Sequence, residues 1–407
     1  MNTSGLMGRM MKWLVRVALF GVAAIAVLLC VLWLDHRRET TLLPPTGPFA
    51  VGRVVEQWDD AGKQELLAPA AEPRKVVAWI WYPAKKEARP EFAPYLPSAW
   101  REAMEHHAGI LLSRFLARDL SKVHTHSEPD AEIADEQAQY PVVLMRGGAA
   151  ALVASYSEIA EDLASHGYVV VGLDAPYRTT VVVLNDGRVV ERTRENDAET
   201  LSGEAQQRLG IRLLQAWSSD MSFAVDELQR LSESERRFRN RLDLGRLGVI
   251  GHSLGGANAL AFCHDDARCK VAVDIDGAPL GPVIHEGLSQ PVLLLLSDHK
   301  HDAEDEVRQV TSDIASIYNR LPADRRLEVI LRGANHYGFS DDGAMLKSPA
   351  LRHVLKTIGV IGMDGPRQLE LTRECVRNFL DITLSQREGA ADLSAVCDAA
   401  EIERVPD

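Results

Sequence analysis

The chain is predicted to fold as an α/β protein with a mostly parallel central sheet, helices on both faces and one N-terminal membrane-spanning helix. Three observations predict it. From residue 140 onward, short and nearly continuous apolar runs alternate with amphipathic helical stretches, the pattern of parallel strands buried on both faces. Between one such run and an alanine-rich helix stands Gly251-His252-Ser253-Leu254-Gly255-Gly256. Near the start, residues 17–34 carry no charge.

The composition suits this reading. The 407 residues include 46% hydrophobic and 25% charged side chains, ordinary values for a globular protein. Disordered, collagen-like and multi-pass membrane classes are thereby excluded. A net charge of −13 without a basic stripe argues against a nucleic-acid partner.

Residues 1–38 form the anchor. The 18 uncharged residues span about 27 Å as a helix, enough to cross a bilayer core. Arg9, Lys12 and Arg16 precede them, and Trp13 and Trp33 stand at interfacial positions, so residues 13–34 are the contact with the membrane. Arg37 and Arg38 follow, but with Asp35 and Glu39 beside them. The bias places the N-terminus inside and the remaining residues in the periplasm or another extracytoplasmic space. A cleaved signal peptide is the alternative, although cleavage near Ala24 or Ala26 would leave a minimal apolar core.

A single domain is expected over residues 39–385. Pro44, Pro45, Gly47 and Pro48 read as a short stiff spacer. Residues 49–58 and 75–82 read as strands, and 84–139 as an insertion or lid with a helical stretch over 100–120. Strands then follow at 141–145 and 167–174, with a helix at 157–166 between them. Residues 175–203 form a second insertion with a hairpin around Asn185, Asp186 and Gly187. A long helix over 204–231 shows apolar residues every three or four positions. Strands at 247–250, 270–276, 291–296 and 327–331 complete the sheet, with helices at 305–321 and 369–383. Residues 386–407 are a polar tail without an evident packing face.

Cys30 lies in the apolar run, and the other four cysteines form two sequence-local pairs. In an oxidising compartment Cys263 would join Cys269, and Cys375 would join Cys397. No cysteine or histidine spacing marks a zinc site. His299 and His301 share a loop, but no third metal ligand stands out, and no cofactor is expected.

The chemistry centres on Ser253. Glycines on either side allow a tight strand-to-helix turn that projects the serine above the sheet and presents the Leu254 N–H at a helix N-terminus. An unassisted serine is a weak nucleophile, so it needs a base and an orienting acid. Of the later histidines, His264 lies within the helix after the turn, His285 follows a proline-containing loop, and His353 lies in a helical run with charged neighbours. His336, in RGANHYGF, follows the last strand, where a base reaches a nucleophile at the strand ends. Asp276 is the acid nearest the sheet's carboxyl edge; Asp274 and Asp298 are the alternatives. A second oxyanion donor is expected from the loop at 145–151, at the N–H of Ala149.

IWYPA, YPVVLMRGG, YSEIAEDLASHGYVVVGLD, GHSLGGA, DDARCKVAVDIDG, QPVLLLLSD and RGANHYGFSD together resemble the platelet-activating-factor acetylhydrolase family, plasma and type II kind, in its bacterial form. The resemblance covers residues 47–384. It implies an α/β-hydrolase fold and a calcium-independent serine esterase. It also implies Asp276 as acid, His336 as base, and Ala149 backing Leu254 in the oxyanion hole. The implied substrate is a small lipid ester, with short or oxidised acyl chains cleaved from the second position of glycerophospholipids. Two features depart from the family: the anchor, and Gly147-Gly148 after Arg146 where His-Gly is usual. A general, polyester or dienelactone hydrolase-like esterase is the alternative activity. A silent fold serving as a binding module is the alternative class.

Overall fold

The computed structural model describes residues 3–111, 113, 117–299, 304–345, 357, 362–384, 392–393 and 396–405. His301 and His353 lie outside them. Helix α1 (Thr3–His36) includes a stretch, Met11–His36, long and apolar enough to cross a membrane, and its apolar window is not buried against the rest of the chain.

The strands that follow are β1 (Thr40–Thr41), β2 (Ala50–Gln64) and β3 (Pro73–Ala84). Helix α2 (Ser98–Leu111), β4 (Val123–His124), β5 (Ser127–Pro129) and β6 (Tyr140–Arg146) come next. Then come α3 (Ser157–Ser165), β7 (Val169–Asp174), the hairpin β8 (Val181–Val183) and β9 (Val189–Glu191), and α4 (Gly203–Ser234). The remainder is β10 (Leu242–His252), α5 (Leu254–Asp265), β11 (Cys269–Ile275), α6 (Val283–Glu286), β12 (Val292–Leu296), α7 (Glu304–Tyr318) and β13 (Arg326–Leu331). Helices α8 (Asp341–Met345) and α9 (Gly365–Thr383) and strand β14 (Ile402–Arg404) close the chain.

Ten strands form the main sheet in the order β14-β13-β12-β11-β10-β6-β7-β3-β2-β5. Strands β6, β7 and β10 to β13 pair in parallel, with at least one helix between each and the next along the chain. The sheet is nevertheless mixed. β2 and β3 are antiparallel neighbours joined by a short connection, β3 runs antiparallel to β7, and β14 runs antiparallel to β13. Strand alternation divides the core into two layers. Val143 and Met145 of β6 pack with Ile159, Leu163 and Phe379 on one face, and Val142 and Leu144 with Met221, Leu228 and Leu260 on the other.

Two segments differ from the expectation from sequence. The proline-rich stretch after α1 is embedded rather than a free spacer, because Leu42 is buried and the Thr46 and Gly47 N–H groups donate to Asp162 and Ser165 Oγ. The C-terminal segment also packs. Leu393, Val396 and Cys397 are buried, and β14 covers the exposed edge of β13. Few apolar residues suffice there, since backbone pairing and a disulfide hold the segment.

Cys263 is bonded to Cys269, and Cys375 of α9 to Cys397. The second bond ties the C-terminal segment to α9 across a sequence separation of 22. Loop-closure entropy for that length is worth about 3 kcal/mol. Cys375→Ser is therefore expected to lower the unfolding free energy by about that amount in a denaturant titration, and added reductant should have no further effect at this site.

Candidate active site

Ser253 stands between β10 and α5 with φ 56° and ψ −126°. A non-glycine residue in that region costs about 1–3 kcal/mol, so its surroundings must enforce the turn. Two glycines make room for it. A Cβ on Gly251 would lie 2.0 Å from Gly255 O, and one on Gly255 2.4 Å from Gly147 O. The second contact also seats the loop carrying Gly147, Gly148 and Ala149 directly against the turn.

His336 opens a short 3₁₀ turn, His336–Phe339, held by Asn335, whose side chain accepts from Gly338 N–H. Its Nε2 lies 3.0 Å from Ser253 Oγ and its Nδ1 lies 2.8 Å from Asp276 Oδ2. With the proton on Nδ1 donated to Asp276, Nε2 can accept the serine proton. The carboxylate of Asp276 is fully enclosed and takes three further hydrogen bonds. Ser297 N–H donates to Oδ1 (2.8 Å), Ser297 Oγ–H to Oδ2 (2.7 Å), and His299 Nε2 to Oδ1 (2.9 Å). Burial alone would push this carboxyl up. The hydrogen bonds from His299, His336 and Ser297 outweigh it and hold Asp276 well below the usual carboxylate range.

Asp274 and Asp298 accept hydrogen bonds elsewhere. Asp274 is buried two residues before the left-handed step at Asp276 (φ 55°), which sends the two carboxyls into different surroundings. It accepts from Gly277 N–H (2.8 Å), and burial pushes it up to about 8, so it is protonated at neutral pH. Asp298 Oδ2 accepts from Gly333 N–H (3.0 Å), bracing the loop that leads to His336. His264 is paired on the surface with Asp265 and Glu286. Among the described residues no group of three or more His, Cys, Asp or Glu side chains is placed to hold a metal ion.

Leu254 is the first residue of α5, where helix geometry leaves the N–H without an intrahelical acceptor. Leu254 and Ala149 both line a cleft of about 1100 Å³ above Ser253. Gly203, Gln206 and Gly210 of α4 form one wall of the cleft, and Val310 and Ile314 of α7 line it as well. Ala198, from the insertion at 175–203, also reaches it.

Sequence reasoning missed Tyr156. Its Oη accepts from Gly148 N–H (3.0 Å) and shares a hydrogen with His252 Nδ1 (2.8 Å). Burial, with His336 close by, pushes His252 down to about 3, so the imidazole is neutral. Beneath the same loop, Arg146 is buried against Asp220 (2.7 Å) and donates to Leu173 O. The loop over residues 147–149 is thus held by Tyr156 and Arg146. Only the position of Tyr156 at the start of α3, opposite the glycine loop, signals it. His299, weighed in the sequence as a metal ligand, donates to Asp276.

A sequence model of the family described as platelet-activating factor acetylhydrolase, isoform II, matches residues 36–196 and 221–394. A probable 1-alkyl-2-acetylglycerophosphocholine esterase of Arthroderma benhamiae is 24% identical, covering 84% of this chain and 88% of that protein. Cutinase est2 of Thermobifida alba is 23% identical over about half of each chain. The solved structure of a ferulic acid esterase from Streptomyces cinnamoneus superposes with a TM-score of 0.71 over 90% of this chain and all of that one, at 23% identity.

Two substitutions probe the site. Tyr156→Phe leaves Gly148 N–H without its acceptor, and kcat on a soluble ester is expected to fall about tenfold with KM little changed. Asp274 binds a proton in the folded state from its ordinary pKa near 4 up to about 8. Its raised pKa therefore makes the fold less stable as pH rises through that window. Asp274→Asn keeps the acceptor for Gly277 and is expected to be more stable than the parent by about 1–3 kcal/mol at pH 8, with the difference gone at pH 4. Denaturant unfolding at the two pH values checks it.

Proposed function

Since the chain belongs to the platelet-activating factor acetylhydrolase, isoform II family and is a carboxylic-ester hydrolase, we propose that it is a membrane-anchored serine esterase. Its proposed substrates are phospholipids with short or oxidised acyl chains. The observation that carries this reading is His336, within hydrogen-bond reach of both Ser253 Oγ and Asp276.

In this reading Ser253 Oγ attacks the ester carbonyl as its proton passes to His336 Nε2. The oxyanion of the tetrahedral intermediate accepts hydrogen bonds from the Leu254 and Ala149 N–H groups. Each such donor is worth roughly 10²–10³ in rate. Asp276 holds the imidazole in the accepting tautomer and stabilises the imidazolium. His336 then gives the proton to the departing alkoxide, leaving an acyl-serine. Water enters, loses its proton to His336 and attacks the acyl carbonyl, and the proton returns to Ser253 as the acid leaves. No step needs a metal or an organic cofactor.

The basic residues Arg9, Lys12 and Arg16 ahead of the uncharged stretch of α1, and the two disulfides beyond it, support a catalytic domain outside the cytoplasm. The likeness to a cutinase favours a second reading, an esterase acting on simple or polymeric esters.

The test is hydrolysis of p-nitrophenyl esters of two to twelve carbons and of a short-acyl phosphatidylcholine, with Ser253→Ala as control. Turnover of short chains and of the phospholipid, lowered by roughly 10⁴-fold or more in the control, is expected. Turnover of simple esters alone would select the second reading. A folded protein no faster than its control on any ester would overturn both.

A further inference from the structure

The end of α1 is locked to the catalytic domain. His36 is only 3% exposed, and its Nδ1–H donates to Ala117 O at 2.8 Å. Asp119 N–H donates back to His36 O at 3.0 Å. Arg118 spans the same junction, donating from Nη1 to Asp35 O (2.7 Å) and from Nε to Met345 O (3.1 Å). One guanidinium therefore joins the last turn of α1 to α8, the helix that follows the His336 turn. Immediately beyond, Thr40 and Thr41 pair in parallel with Val123 and His124, and Leu42 is buried.

The course of the next residues shows from which end of the domain α1 departs. Leu43 N–H donates to Glu158 in the first turn of α3, Thr46 N–H to Asp162 one turn on, and Gly47 N–H to Ser165 at the last residue. The chain thus runs along α3 from its N-terminus to its C-terminus. Helix α3 follows β6, so its N-terminus lies at the carboxyl edge of the sheet, the edge that carries Ser253. Asp341 of α8 confirms the placement by accepting from the Ser157 and Glu158 N–H groups. Hence α1 leaves the domain on the catalytic side, and its apolar stretch stands clear of the protein.

We infer that the bilayer crossed by α1 lies against the catalytic end of the domain, so that the cleft over Ser253 opens toward lipid headgroups of the surface from which α1 emerges. The inference rests on the membrane-anchor reading and deepens it: the substrate is an ester presented in a lipid surface and reached by the anchored enzyme on its own membrane. The rim of the cleft suits that neighbour. Tyr337, next to His336, is 79% exposed. Leu201 and Ile211, beside the α4 wall, are exposed as well. A tyrosine and aliphatic side chains at such a rim fit the headgroup region.

The experiment uses the full chain with Cys30→Ser, inserted into phosphatidylcholine vesicles with the domain outward. Tyr337→Cys places a fluorophore at the cleft rim, and Arg239→Cys places one in the turn before β10, at the opposite edge. Lipids carrying a headgroup nitroxide serve as the quencher. At least threefold stronger quenching at position 337 than at 239 is expected, with or without Ser253→Ala. Equal or reversed quenching would overturn the orientation whatever the protein hydrolyses, and a chain that fails to float with vesicles would remove the anchor beneath it. Arg118→Ala is a second probe. It should lower hydrolysis of vesicle-borne short-acyl phosphatidylcholine several-fold relative to soluble p-nitrophenyl acetate, and an unchanged ratio would count against the locked joint.

Discussion

The carboxylate of Asp276 is the group on which the active-site end depends. A buried charge without partners is too costly to keep, so the fold must bring it donors. Those donors come from Ser297 and His299 after β12 and from His336 after β13. Satisfying one carboxylate therefore aligns the ends of three consecutive strands. His336, the proposed base, is aimed at Ser253 as part of the same network. The left-handed backbone at Asp276 and at Ser253 is strain that this network, with the tight glycine contacts of the turn, holds in place.

The loop over residues 147–149 has a different kind of support. Arg146 and Arg178 share Asp220 in the interior, and Arg178 also pairs with Glu65. Such buried ion pairs add little net stability compared with apolar packing, but breaking one is costly, so they fix geometry. Here they hold the strand end from which Gly147, Gly148 and Ala149 extend. Tyr156 grips the loop from the side, and its own ring position is set by the start of α3, which Asp341 caps. The loop that carries the proposed oxyanion donor and the turn that carries the proposed base are thus joined through α3.

That same cap links the site to the apolar helix α1. α8 carries Asp341 at one end and at the other Met345, whose carbonyl accepts from Arg118 beside the last turn of α1. The apolar helix and the catalytic domain meet through hydrogen bonds and a short parallel strand pair rather than through a free spacer. A helix joined in this way carries orientation as well as attachment.

Much of this was legible in the sequence because it is local. Strand–turn–helix around Ser253, the buried apolar runs and the uncharged stretch of α1 each depend on residues within about twenty positions, and periodicity and glycine spacing report such features directly. His336 was legible too, since its loop follows the last parallel strand. The polar C-terminal segment misled, because β14 is held by backbone pairing and a disulfide that hydropathy does not register. The choice among Asp274, Asp276 and Asp298 could not be read from alternation, because a single left-handed residue changes where a carboxyl points. Tyr156, His299 and Arg118 act on partners far away in the chain, and the sequence alone does not say which distant atoms will meet. The sequence by itself determined the fold class, the strand–turn–helix around Ser253 and an apolar helix long enough to span a bilayer. Tertiary structure alone decided what braces the loop over residues 147–149 and which end of the domain the apolar helix leaves, because each depends on hydrogen bonds closed across the fold.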